Sequence, residues 1–264
     1  MNELKQNFIC IGAQKAGTTT LSDVLGQHKH ICIPPVKETK FFLFDDLYKK
    51  GISYYNSFFS NWNGQIATGE FDPDYLLFPF TAQRIYDTLG ADVKILVVLR
   101  NPANRAYSHY LMTRKKGLED NDFENALKAE PGRKSDIKTT KIFAYIERGF
   151  YGKQLTEFLK VFKRENFLFL IFEEDLIDNR LETITMVQQF LRVPYQELQL
   201  DVHSNEAGEA KNEVLRDLVR KPNFAKKILQ TILPSRETRK TIRKFFIRKN
   251  IQKVAAPKLS DDVK

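Results

Sequence analysis

Phe8-Ile9-Cys10-Ile11-Gly12-Ala13-Gln14-Lys15-Ala16-Gly17-Thr18-Thr19-Thr20-Leu21 is the stretch whose reading decides the fold. Phe8–Ile11 is apolar throughout, as a strand covered on both faces must be. A glycine-bearing turn follows, and Thr19–Leu25 then shows the three-to-four spacing of a helix. Strand, turn and helix in that order aim backbone N–H groups at one point, and the helix N-terminus adds its partial positive charge. The turn is therefore an anion site, to which Thr18 and Thr19 bring hydroxyls and Lys15 a full charge.

The same alternation continues along the chain. Strand-like runs at Ile31–Ile33, Ile66–Thr68, Ile95–Leu99 and Phe167–Phe172 are separated by helix-like Pro79–Leu89, Ala103–Thr113, Gly152–Phe162 and Leu181–Leu191. This pattern predicts an α/β fold with a central parallel sheet flanked by helices. Polar stretches at Ala129–Thr140 and Asp201–Asn212 read as surface loops, and the chain beyond Ala225 as basic helix. The expected organisation is one α/β domain over 1–225 and a basic helical tail over 226–264.

Charge divides the same way. Residues 1–225 hold 30 basic and 30 acidic side chains, so the net +9 arises in 226–253, where ten basic residues face Glu237 alone. A neutral body argues against a nucleic-acid binder. Apolar residues at Ile228, Leu229, Ile232 and Leu233, and at Ile242, Phe245 and Phe246, interleave with that charge. The tail thus has the pattern of a surface-docking helix for an anionic membrane or polysaccharide, or of a terminal helix pair with solvated charges.

Cys10 and Cys32 lie in apolar runs and read as buried thiols of a reducing compartment. The N-terminus lacks the apolar run of a signal peptide, and no stretch reaches the roughly 20 apolar residues of a membrane span. The expectation is a cytoplasmic protein, peripheral to the membrane if the tail docks. His28, His30, His109 and His203 show neither metal nor triad spacing, and no Asp/His cluster points to a metal.

The spacing in the first turn decides which anion fits. A nucleoside-triphosphate loop places lysine directly after its last glycine. Here Gly17 is followed by Thr18, and Lys15 precedes the glycine by two positions. The run Ile95–Leu99 ends in Arg100, where such proteins often hold magnesium with aspartate. A kinase or phosphotransferase remains the alternative enzyme, and a non-catalytic nucleotide-binding module docking to anionic surfaces the alternative of another kind.

Gln14-Lys15-Ala16-Gly17-Thr18-Thr19 resembles the 5′-phosphosulfate loop of sulfotransferases that use 3′-phosphoadenosine-5′-phosphosulfate (PAPS), in particular the heparan-sulfate-type branch and its bacterial relatives. Further segments fit in order: Lys37-Glu38-Thr39-Lys40-Phe41-Phe42, Gly51-Ile52-Ser53-Tyr54-Tyr55, Gly69-Glu70-Phe71-Asp72-Pro73-Asp74-Tyr75, and Leu99-Arg100 through Tyr110. The resemblance spans residues 7–195. It implies a P-loop-NTPase-like fold, PAPS as co-substrate, adenosine 3′,5′-bisphosphate as product, no metal, and a saccharide hydroxyl or amine as acceptor.

The residues take roles accordingly. Gln14, Lys15, Ala16, Gly17, Thr18 and Thr19 hold the 5′ end of the donor, and Lys15 stabilises the leaving phosphate. Arg100 and Ser108 hold the 3′-phosphate, with Lys211 as the cation of a late cofactor loop. Glu38 is the general base, and Lys37, Lys40 and Glu70 face the acceptor. Three positions depart from the heparan-type pattern, which often has His at Lys40, Lys or a small residue at Phe71, and Ser or Thr at Asp72.

Overall fold

The structure is a computed structural model that describes residues 4–201, 209–210 and 251–252. The described elements run β1 (Phe8–Gly12), α1 (Thr18–Leu25), β2 (Ile31–Cys32), α2 (Asp45–Tyr48), α3 (Gly51–Ser57), β3 (Ala67–Phe71), α4 (Phe80–Leu89), β4 (Lys94–Leu99) and α5 (Pro102–Lys115). They continue with α6 (Phe123–Ala129), α7 (Ile137–Phe143), α8 (Tyr151–Leu159), β5 (Phe167–Ile171), α9 (Arg180–Phe190), β6 (Glu209–Ala210) and β7 (Ile251–Gln252). Lys211 and most of the basic tail lie outside the described residues. Ile251–Gln252, inside the stretch read as helix, is a short strand paired antiparallel with β6.

The chain divides into two units, residues 1–105 with 146–204, and residues 106–145 with 205–264. The first unit carries a five-stranded sheet in the order β2-β3-β1-β4-β5, every pair parallel. β1 is its central strand, with all five residues buried, which is why its sequence lacks polar alternation. β3 begins one residue later and ends three residues later than its apolar run suggested, because Gly69, Glu70 and Phe71 continue the pairing with β1. Ligand sites in parallel sheets form at the carboxyl ends of strands. There β1 runs into the turn 13–17 and β3 into Asp72.

The second unit has its own aromatic core, in which Tyr107, Tyr110, Phe123 and Tyr145 pack with Leu111, Ala126 and Leu127. Ala129–Thr140, expected to be loop, instead holds a 3-10 turn at Glu130–Arg133 and the start of α7. Its polar residues have a local use. The Asp136 carboxylate accepts from the Thr139 amide at 2.7 Å and caps the helix. Capping side chains are polar, so a short capped helix looks like loop in sequence. Glu119 is buried within this unit, accepting from the Tyr145 hydroxyl at 3.0 Å and from Arg133. Among the described residues no helix is long and apolar enough to cross a membrane.

Gly17 closes the first turn at a φ of 87°, immediately before α1. A Cβ there would stand 2.7 Å from the Phe172 ring. Both the left-handed backbone and the contact therefore require glycine. Gly17→Ala should cost about 1–3 kcal/mol of folding stability, the usual scale for a strained backbone position. Chemical denaturation checks this, and an unchanged midpoint would show that the turn relaxes without loss.

Candidate active site

Two short segments of the first unit carry most of the residues singled out by the sequence. The turn after β1 starts with the Ala13 amide donating to the Val98 carbonyl at 2.6 Å, which continues the sheet by one bond. Lys15 follows with a φ of 71°. The Arg100 guanidinium, at the end of β4, donates to the Lys15 carbonyl at 2.9 Å and packs over the Phe172 ring at 4.7 Å. The residue expected to hold the donor's 3′ end thus also supports the turn expected to hold its 5′ end. Thr18 opens α1 and is buried, while Thr19 is half-buried.

The second segment is Glu38-Thr39-Lys40. Glu38 and Lys40 have φ values of 57° and 60°, so both are left-handed. Among the described residues four non-glycine positions have positive φ, and three of them are Lys15, Glu38 and Lys40. Each such position costs on the order of 1–3 kcal/mol and persists only where its surroundings impose it.

The surroundings are carboxylates at the end of β3. Asp72 continues that strand, its amide donating to the Cys10 carbonyl of β1 at 2.9 Å. Its Oδ2 accepts from the Lys40 amide at 3.0 Å and its Oδ1 from Lys40 Nζ at 2.7 Å. Lys40 Nζ also meets Asp74 Oδ2 at 2.7 Å and Glu38 Oε2 at 2.9 Å. Asp74 is bound in turn by the buried Arg148 and, at 3.5 Å, by Gln14 Nε2 of the first turn. Glu70 completes the frame. Its Oε1 accepts from the Tyr55 and Tyr75 hydroxyls at 3.0 Å each, and its Oε2 from the Thr39 amide at 3.2 Å.

Burial and charge act against each other here. Burial alone would lower the Lys40 ammonium, but Asp72, Asp74 and Glu38 outweigh it and hold its pKa above the ordinary value. Burial pushes the Asp72 carboxyl up to about 7; Lys40 pulls it down, while Asp74, Glu70 and Glu38 push it further. Every side-chain hydrogen bond of Asp72 has the carboxylate accepting, so the arrangement is that of its ionised form. Burial likewise raises Glu70 against the hydrogen bonds from Thr39, Tyr55 and Tyr75. Both tyrosines stand well above their usual range, by burial and then by Glu70, and remain neutral donors.

Several expectations change. Lys40, read as a contact for an acidic acceptor, has its side chain 13% exposed and its ammonium bonded to three carboxylates. Lys37, given the same role, pairs with Asp23 of α1. Glu70, read as acceptor-facing, is completely buried and anchors the Thr39 amide. Arg105, at the start of α5, is completely buried. Glu38 keeps a side chain 45% exposed. Ser108 is buried on α5 in the second unit, and Lys211 lies outside the described residues.

Carboxylate oxygens of Glu38, Asp72 and Asp74 fall within 4.8 Å of one another, a grouping the linear sequence did not reveal. The cation that sits among them is the Lys40 ammonium. Asp72, Asp74 and Arg148 were not among the predicted site residues. The Asp-Pro-Asp spacing within 72–74 carried a signal for the first two; Arg148, more than 70 positions further on, carried none.

A family model described as a sulfotransferase domain matches residues 5–249. The chain belongs to the sulfotransferase family. Among its curated relatives, mouse heparan sulfate glucosamine 3-O-sulfotransferase 5 is 28% identical over 201 residues, covering 75% of this chain and 56% of that protein. Human heparan sulfate glucosamine 3-O-sulfotransferase 3B1 is 30% identical over 184 residues, covering 69% of this chain and 45% of its own. The chain thus spans about half the length of these relatives. The solved sulfotransferase from Alicyclobacillus acidocaldarius superposes with a TM-score of 0.66 at 27% identity, covering 90% of this chain and 100% of that one. The fold is the P-loop-like α/β sulfotransferase fold: the alternation of runs predicted its central parallel sheet, and the family resemblance implied the rest.

Removing the central cation should expose the cost of the carboxylates. Lys40→Met should lower folding stability by about 3–5 kcal/mol above neutral pH, as when one partner of a buried ion pair is deleted. Without the ammonium, the folded-state pKa of Asp72 rises further above its unfolded value. The folded variant then binds more protons than the unfolded chain, and its stability falls as pH rises through that window. Denaturation across pH should therefore show the deficit shrinking below about pH 7. A pH-independent deficit would place the cost outside the carboxylates.

Proposed function

We propose that this sulfotransferase moves the sulfuryl group of PAPS to a hydroxyl or amine of a saccharide acceptor, with Glu38 as general base and Lys15 at the leaving phosphate. The observation that carries the proposal is the pairing of two strained segments on one sheet edge, the Lys15 turn and the Glu38–Lys40 segment, linked through Gln14 and Asp74. The acceptor oxygen or nitrogen attacks sulfur, the S–O bond to the 5′-phosphate breaks, and Glu38 takes the acceptor's proton. Charge gathers on the departing phosphate oxygen of adenosine 3′,5′-bisphosphate. Lys15 and the N–H groups at the start of α1 stabilise it without rearrangement.

Arg100 favours this reading over phosphotransfer. It stands at the end of β4 and donates to the Lys15 carbonyl, where a magnesium-binding nucleotidase would require a carboxylate. Glu38 favours an enzyme over a nucleotide-binding module, which would need no half-exposed carboxylate on the segment linked through Lys40 and Asp74 to Gln14 of the turn. The saccharide acceptor is suggested by the names of the curated relatives. Lys40 and Asp72, which stand where the heparan-type pattern has other residues, leave the saccharide's structure open to difference.

Calorimetry should show adenosine 3′,5′-bisphosphate binding much more tightly than ATP; equal or reversed affinities would favour a phosphotransferase. Lys15→Ala should weaken transfer by about 2–4 kcal/mol in the transition state. With heparosan, the unsulfated glucuronate–glucosamine polymer, as acceptor probe, Glu38→Gln should retain donor binding while turnover drops roughly 10²–10⁴-fold. A Gln variant with more than about a tenth of wild-type turnover would remove Glu38 from the role of base.

A further inference from the structure

An ammonium has three hydrogens to donate. Lys40 directs two of them at Asp72 and Asp74, and its charge forms an ion pair with Glu38 at 2.9 Å. Among the described residues, Lys40 is the group that pairs with the Glu38 carboxylate, whose side chain is otherwise half-exposed. The place of that carboxylate is therefore set by whatever holds Lys40.

Asp72 does so twice over. One of its oxygens takes the Lys40 amide and the other the Lys40 ammonium, so backbone and side chain are fixed together from one completely buried residue. The amide contact helps impose the left-handed conformation at Lys40, and the ammonium contact aims the side chain back at Glu38. Asp72 is itself immobilised by its amide bond to the Cys10 carbonyl and by accepting from the Asp74 amide at 3.2 Å. The other charged or titratable groups around it are already committed. Asp74 is paired with Arg148, Glu70 is bonded by Tyr55 and Tyr75, and the Cys10 thiol is buried.

We infer that Asp72 is a positioning residue for the transfer reaction: by gripping the amide and ammonium of Lys40 together, it fixes where the Glu38 carboxylate meets the acceptor. This rests on Glu38 being the base. Asp72 touches neither donor nor acceptor and acts through Lys40 alone. Neutralising it leaves the ammonium on Asp74 and Glu38 and frees the backbone at Lys40, so the carboxylate moves.

Asp72→Asn tests this, because the amide has nearly the same shape but cannot accept at both positions. The variant should bind adenosine 3′,5′-bisphosphate within a few-fold of wild type and keep its KM for PAPS. Its kcat toward heparosan should fall on the order of a hundredfold, as for a reacting group misplaced by about 1 Å. A crystal structure of the variant with adenosine 3′,5′-bisphosphate should show the Glu38 carboxylate displaced by more than about 0.5 Å, the tolerance of a productive geometry. That displacement is read without any acceptor, so it stands even if heparosan is not turned over. Glu38 in its wild-type place, or wild-type kcat, would overturn the inference. If Asp72→Asn does not fold, Lys40→Arg keeps both charges while shifting the donor atoms. A displaced Glu38 with lowered kcat then supports positioning through Lys40, and an unmoved Glu38 with wild-type kcat overturns it. Failure of the functional reading looks different: Glu38→Gln would turn over like wild type, whatever Asp72 does to the position of Glu38.

Discussion

The Lys40 ammonium, held between Glu38, Asp72 and Asp74, is the interaction on which the rest of the site depends. Three carboxylates within 4.8 Å repel one another by about 4 kcal/mol per pair at an effective dielectric of about 20, and burial adds to that cost. One cation at their centre turns the repulsion into cohesion. The pull extends outward. Through Asp72 it reaches the end of β3, through Asp74 it reaches Arg148 and Gln14, and through Glu38 it reaches the solvent-facing side.

Strain is distributed along the same connections. Lys15, Glu38 and Lys40 all hold left-handed backbone, which ordinary side chains adopt only under compulsion. For Lys15 the restraint includes the Arg100 hydrogen bond to its carbonyl. For the 38–40 segment it is the amide contacts of Thr39 to Glu70 and Lys40 to Asp72. Each restraint comes from a residue at or just beyond the carboxyl end of an interior strand of the sheet. A half-exposed carboxylate and a charged turn are thus held in place by fixed hydrogen bonds and ion pairs.

The family's separate elements acquire a shared purpose in this geometry. Phe41 and Phe42 are buried with Tyr55 and Tyr75 in one aromatic cluster, so they secure the segment carrying Glu38 from beneath. The same two tyrosines hand their hydroxyls to Glu70. Apolar packing and polar anchoring of the 38–40 segment therefore come from the same rings.

Much of this was legible in the amino-acid order. Apolar runs such as Phe8–Ile11 and Ile95–Leu99 announced a sheet covered on both faces, and Gly12 and Gly17 announced the turn between strand and helix, because period and spacing are local properties of the chain. Glu38 stood out by type and place. Lys37, Lys40 and Glu70 stood out equally, yet their partners Asp23, Asp72 and Tyr55 are 14, 32 and 15 positions away, and nothing in local spacing selects them. Short capped helices such as α7 were hidden for a related reason, since the polar side chains that stop a helix also make a loop. By itself the sequence determined the parallel α/β layout and the glycine-bearing turn between β1 and α1. Only the tertiary structure decided which charges neutralise each other, because ion pairing follows distance in space and burial, and neither is written in the distance along the chain.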